Sequence, residues 1–492
     1  MKKISKKILM SIMVLCMVSF AFTSSIFAAG TEVAEVDGTK YQTLQEAIDN
    51  ADGKTVMLLD DVTESVTIEQ GKNITIDLGK YTLTNEGSKH TITNNGNLTI
   101  EGEGKVDNTV HGKGALVNNK GGEVNINGGT FTRSNEKGVQ GSNGGNSWYV
   151  IDNQGTMTIK NATVENTSGF SSLIRNLGAT LNVEDGSVLR NTFIAVKNDD
   201  NGVLNVNGGL IETTGEGGSA IQNWGKAEVN GGTLKAVDGA AAIFALSWDP
   251  QYSDSKIVVN DGVKVDGDVI VQVDTENKVE GVKGPELVVN GGDINGNIAA
   301  KEEAVVSLKG GNVSGEITKV SGDAKVSISG GTYAKEINPE YVADDMIAIG
   351  YKKSGESSST YMVGTVEEMK NKIESAKKGD EIEILNGSLD LNVENGGVSI
   401  VNKGNGDVTV NDEKVDDTGI VTENKDNDKD DNKGENDSTG TGTVTENNNG
   451  SNNDKGDVQS PDTSDDNNLT FFIGSTLVSL VALLAVLKKK FA

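Results

Sequence analysis

Disulfides are excluded first. The chain has one cysteine, Cys16, and it lies in a segment read below as a cleaved leader. The mature protein therefore folds on packing and hydrogen bonds alone. Aromatics are only 4% of residues and proline numbers 4, whereas glycine numbers 62. That profile is poor for a bulky core and suits many short strands joined by turns that need positive φ. Histidine occurs only as His90 and His111, with no third partner for a metal site or nucleophilic triad, and no cofactor is expected. Cations are in deficit: 44 Lys and Arg face 72 Asp and Glu, a formal charge of −28. Removing the leader's lysines makes the body more acidic still, which argues against nucleic acid and anionic membrane surfaces as partners.

The two ends carry the long apolar runs. Residues 1–29, "MKKISKKILMSIMVLCMVSFAFTSSIFAA", read basic head, apolar run and small residues, the order of a secretory signal peptide. From Leu469 to Leu487 no residue is charged. As a helix this span is about 28 Å long, enough for a hydrocarbon core of about 30 Å. The basic tail 488–492 follows, with Lys488, Lys489 and Lys490 on the cytoplasmic side. Just before the span stands "SPDTS", residues 460–464, with Pro461, Thr463 and Ser464. Pro-x-Thr, polar spacer, apolar span and basic tail together resemble the sortase cell-wall sorting signal of Gram-positive bacteria. Ser460 and Ser464 depart from the common LPxTG form. The resemblance implies cleavage after Thr463 and its attachment to peptidoglycan; a plain membrane anchor is the alternative. Residues 411–459 are polar and acidic, and read as a disordered spacer. Asp426, Asp428 and Asp430 alternate there, but Asp431 stands where a calcium loop needs Gly, so no metal is assigned.

Between the ends the chain repeats. "NWGKAEVNGG" at 223–232 has counterparts in "NQGTMTIKNA", "NLGATLNVEDG" and "NDDNGVLNVNGG". Alignment on the asparagine gives Asn119, Asn153, Asn176, Asn198 and Asn223. Each follows a short apolar segment and precedes a Gly turn, an alternating strand such as Leu204-Asn205-Val206, a second turn and a third apolar piece. Three strands and two tight turns, returning every 22–34 residues, make one coil of a solenoid. The asparagines are placed to stack as an amide ladder, although turn chemistry alone also explains them. Gly-Gly or Asp-Gly pairs at Asp261, Gly291, Gly310 and Gly330 extend the pattern. Counted from Glu101 there are about ten coils, a rod of roughly 48 Å. The irregular period is similar to that of the right-handed parallel β-helix of pectin-lyase-like proteins, over 30–348. The expected class is therefore all-β.

Both ends of the rod carry a helix pattern. Thr43 and Glu46 make a capping box before Leu44, Ala47, Ile48 and Ala51, with Gly53 as the stop. Thr365 and Glu368 repeat the device before Val366, Met369, Ile373 and Ala376, with Gly379 as the stop. Residues 349–410 are read as a small helix-plus-strands module, a second β-helix-like unit or a cap.

The resemblance raises the question of polysaccharide chemistry. "KNDDNG" offers Asp199 and Asp200 as a candidate acidic pair, but the His motif at His111 lies upstream. The three arginines, Arg133, Arg175 and Arg190, lack the context expected of lyases; Arg175 and Arg190 sit in or beside repeat strands, where capping or outward solvation accounts for them. No catalytic residue is assigned, and an enzyme is not expected. Trp148, Trp224 and Trp248 fall in or beside loops and are candidate ligand-binding residues on one side of the rod; covering loop cores is their other reading. The chain resembles adhesin-like surface proteins of low-GC Gram-positive bacteria. That implies a non-enzymatic, wall-anchored rod whose partners are sortase, peptidoglycan and a host or glycan ligand. A surface-displayed lyase or hydrolase is the alternative, and a structural surface-layer component a third.

Overall fold

The computed structural model describes residues 31–134, 148–166, 171–252 and 255–424. The leader, the sorting residues Pro461, Thr463 and Ser464, and the apolar span lie outside the described residues. Among the described residues no helix is long and apolar enough to cross a membrane.

The middle of the chain winds as a parallel β-helix. Each coil gives one strand to each of three sheets. In one coil Ile174–Leu177 lies in sheet 1, Thr180–Val183 in sheet 2 and Val188–Asn191 in sheet 3. Every strand pairs in parallel with its equivalents in the coils before and after, as Thr180–Val183 does with Thr156–Ile159 and Val203–Val206. Sheet 1 has 11 strands, and sheet 2 has 14, of which Ala34–Val36 and Thr39–Tyr41 form an antiparallel hairpin at its edge. The strands from Asn97–Glu101 to Lys325–Ile328 make the ten coils expected from the repeat; Lys54–Leu58 and Asn73–Asp77 begin two more.

Alternation explains why the coils stack. Val124, Met157, Leu181, Leu204 and Ala227 occupy one inward register row of sheet 2, and Ile126, Ile159, Val183, Val206 and Val229 the next. All are buried in one continuous core. A single coil supplies only a few such side chains, so the dry interior exists only when coils share it.

The asparagine ladder forms, with one correction. Its second rung is Asn118, not Asn119, and it begins one coil earlier at Asn94. Each Nδ2 donates to the Oδ1 of the next: Asn94 to Asn118 at 2.8 Å, Asn118 to Asn153 at 2.8 Å, and Asn153 to Asn176 at 2.7 Å. Asn176 then donates to Asn198 at 2.8 Å, and Asn198 to Asn223 at 2.7 Å. Asn223 ends the run on Ser255 Oγ at 3.2 Å. All six are fully buried, and the amides also donate to turn carbonyls, such as Ala179 O and Val203 O from Asn176. A buried amide is costly unless satisfied, and here the repeat itself satisfies it. A second, exposed ladder at the opposite corner was not anticipated. It links Asn290, Asn260, Asn230 and Asn207 at 2.7–3.1 Å. The Gly pairs beside it let corners nest: a Cβ on Gly232, whose φ is +81°, would lie 2.5 Å from Gly209 O.

Both ends are closed. The helix Leu44–Asp49 buries Leu44, Ala47 and Ile48, with Ala51 following them into the core. Thr43 Oγ1 accepts the Glu46 N–H at 3.2 Å, which is half of the expected box, and the N–H groups of Leu44 and Gln45 in the first turn donate to the Glu64 carboxylate. Gln45 meanwhile acts as a false strand. Its Nε2 donates to Thr67 O at 3.0 Å and its Oε1 accepts Thr67 N–H at 2.8 Å, so its amide occupies the free edge of sheet 1.

At the far end Gly331–Tyr333 of sheet 3 pairs antiparallel with Thr360–Thr365, which pairs with Met346–Lys352. The small module thus continues sheet 3 and has its own core around Ile349, Ile373, Ile384 and Ile400. Its helix Val366–Glu374 has the complete Thr365/Glu368 box, but Val366 is exposed rather than part of the buried stripe. The module also runs past 410: Val415 is fully buried, and Ile420–Val421 pairs with Ser399–Asn402. Residues 411–424 therefore belong to the module and not to the spacer.

Candidate binding face

The residue before each ladder asparagine points the other way, out of sheet 1. In register these are Asp152, Arg175, Lys197 and Gln222, followed by Phe244 and Ile270 beyond the ladder. One residue past the ladder asparagines, the next outward positions are Leu177, Asp199 and Trp224, whose N–H donates to Asn198 O; beyond the ladder, Leu246, Gln272 and Lys301 stand in register. Along the rod the face passes from charged to aromatic and aliphatic.

At the charged end Arg175 grips Asp152 with a bidentate pair, Nε to Oδ1 and Nη2 to Oδ2, both 2.7 Å. The Asp152 side chain is 1% exposed. The guanidinium carbon lies 4.7 Å from the Tyr149 ring centre and 5.7 Å from that of Trp148. Burial works against the Arg175 charge, but the Asp152 hydrogen bonds and the negative charges around it outweigh burial and hold its pKa above the ordinary range. Trp148 also contacts His90, ring centres 5.4 Å apart, and its Nε1 is buried with no hydrogen-bond partner among the described residues. His90 Nδ1 accepts the Gly114 N–H at 2.9 Å, and burial, with Lys113 nearby, lowers its pKa.

One coil on, Lys197 pairs with Asp199 at 2.8 Å and lies 4.8 Å from the Trp224 ring centre. Trp224 then packs with Ala241, Phe244, Leu246 and Ile270, and Trp248 lies over that cluster. The chain after Trp248 returns over the face, where Gln251 O accepts Asn201 Nδ2 at 2.8 Å. Trp248 O in turn accepts the Val279 N–H at 2.7 Å.

All three tryptophans therefore belong to the face of sheet 1, Trp148 at its charged end and Trp224 with Trp248 at its apolar end. They are not equally open. Trp224 is 5% exposed and holds Lys197 and the apolar cluster in place, whereas Trp148 and Trp248 are half-buried. Asp199 and Asp200 separate: Asp199 is committed to Lys197, while Asp200 is exposed in a left-handed turn at φ 52°, its N–H donating to Asp199 Oδ1 at 3.1 Å. Arg175 and Arg190 are neither caps nor simply solvated; each pairs with a carboxylate in the register-adjacent strand, Arg190 with Glu212 at 2.9 Å. Sequence reasoning missed Asp152 and Lys197. The signal was present, because each stands immediately before a ladder asparagine.

A shallow, polar hollow lies over the glycine corners of later coils, lined by Asp261, Lys264, Asp293, Asn312 and Thr332. It has no aromatic lining. Among the described residues no three His, Cys, Asp or Glu side chains converge to hold a metal. No family model, curated protein or solved structure matches the chain.

Proposed function

We propose that this is a wall-anchored, non-enzymatic surface protein whose right-handed β-helix presents the outer face of sheet 1 to a ligand. The sorting-signal resemblance at Pro461, Thr463 and Ser464 supports attachment to peptidoglycan, with residues 425–459 as the stalk. The observation that carries the binding role is the strip itself: Trp148, Arg175, Lys197, Trp224 and Trp248 converge on one face of one sheet. Half-buried indole rings beside fixed cations offer stacking and hydrogen-bonding surface to a sugar or peptide at little entropic cost. An acid–base role for Asp199 and Asp200 is disfavoured, because Asp199 is engaged by Lys197 and Asp200 lies in a solvent-exposed turn, so the two carboxylates do not face a common site.

Residues 31–424 applied to arrayed glycans and peptides test this reading. Binding weakened about tenfold or more by Trp248→Ala, with the fold retained, supports it. Depolymerisation of an acidic polysaccharide, lost in Asp199→Asn, would replace it with the enzyme reading. For the anchor, Thr463→Ala is expected to move the protein from the wall fraction to the membrane fraction or the medium.

A further inference from the structure

Among the described residues, Lys197 and Lys301 are the two lysines with less than a tenth of their surface exposed. Lys197 has Asp199 as its counter-ion. Lys301 has none, in a chain with 72 acidic residues: no ion pair or hydrogen bond to its Nζ is formed among the described residues. It ends the strand Ile298–Lys301 of sheet 1. In register it faces Gln272, which in turn faces Leu246 of the apolar cluster. The outward row therefore runs from an indole and a leucine to an uncharged amide and then to this amine. Its alkyl stem is covered, while its Nζ is not among the buried unpartnered atoms and so reaches solvent. Surroundings of this kind favour the neutral amine, and burial lowers the Lys301 pKa.

We propose that Lys301 is a nucleophilic amine that captures small aldehydes as imines. The neutral Nζ lone pair bonds to the carbonyl carbon, and the carbonyl π electrons move to oxygen, which takes a proton. The nitrogen loses one proton and the carbinolamine then loses water, leaving a C=N bond. Amine and aldehyde give imine and water, with no oxidant or reductant required.

The test uses the full-length mature protein with glycolaldehyde and cyanoborohydride at pH 7, which reduces the imine to a stable secondary amine. Peptide mass spectrometry then compares lysines. Lys301 is expected to label about tenfold faster than the exposed strand lysines Lys226 and Lys325, and to lose that advantage in the urea-unfolded chain. The Gln272→Glu variant places a carboxylate in register beside Lys301, and labelling there should fall several-fold while Lys226 and Lys325 are unchanged. Lys301 labelling no faster than Lys226 and Lys325, or at a rate indifferent to Gln272→Glu, would overturn the proposal.

Discussion

Asn176 Nδ2 donates to Asn198 Oδ1 at 2.8 Å, in the middle of a fully buried ladder that links six coils. The same Nδ2 also donates to Ala179 O and Val203 O, so one side chain joins its own turn to the coil above. Asn176→Ala removes those bonds and deprives Asn153 Nδ2 of one of its two acceptors, leaving Thr180 O. A loss of about 2–4 kcal/mol is expected, read as a lower urea midpoint at unchanged slope. A change below about 0.5 kcal/mol would mean that the rungs contribute little.

Arg175 and Asp152 test whether the charged end of the face is a locked structure. Arg175→Met leaves a nearly inaccessible carboxylate without its counter-ion, with only the Gln154 amide among the described residues donating to it, and should cost about 3 kcal/mol. The double variant Arg175→Met with Asp152→Leu removes both charges and should regain much of that loss. Additive losses in the double-mutant cycle would deny the coupling.

Acid should weaken sheet 3 through Glu212. Burial disfavours its charge, but hydrogen bonds from Lys235 and Arg190, 2.7 and 2.9 Å away, prevail and hold its pKa below the ordinary value. A carboxylate depressed in the folded state stabilises above its unfolded pKa, and the contribution disappears as pH falls through the native pKa. Glu212→Gln should therefore lower stability at pH 7 and flatten its decline below about pH 4.3. Parallel pH curves for the two proteins would contradict this.

Gln45 guards the first coil. Gln45→Ala should cost only about 1 kcal/mol in stability, because it removes two partly buried hydrogen bonds. It should nevertheless raise the aggregation rate, because the edge strand Val66–Ile68 loses its amide cover. Light scattering during prolonged incubation gives the readout, and an unchanged rate would show that the helix alone protects the edge.

Much of this fold was legible because repetition multiplies weak signals. One coil with two or three inward aliphatics is ambiguous; ten in succession with Gly corners are not. The error at Asn118 shows the limit. "VNNKGG" offers two adjacent asparagines, and in a period-two strand a slip of one residue exchanges inside for outside. Trp224 reads from sequence as either a ligand-binding ring or a loop cover, because sequence does not reveal that the outer row one coil further on turns apolar at Phe244 and Ile270 and closes around it. The hairpin at Ala34–Tyr41 and the extension to Asn424 were missed because two- and three-residue strands among charged residues leave almost no periodicity to read.

The winding itself is tested most directly by one distance. Asn97 and Lys325 are exposed on the same outward row of sheet 2, separated by nine successive parallel pairings. Residues 31–424 contain no cysteine of their own, so in that segment Asn97→Cys with Lys325→Cys accepts two spin labels cleanly. Double electron–electron resonance should give one narrow distribution centred near about 43 Å, nine steps of about 4.8 Å. A broad distribution, or one centred well below 30 Å, would contradict a stacked rod.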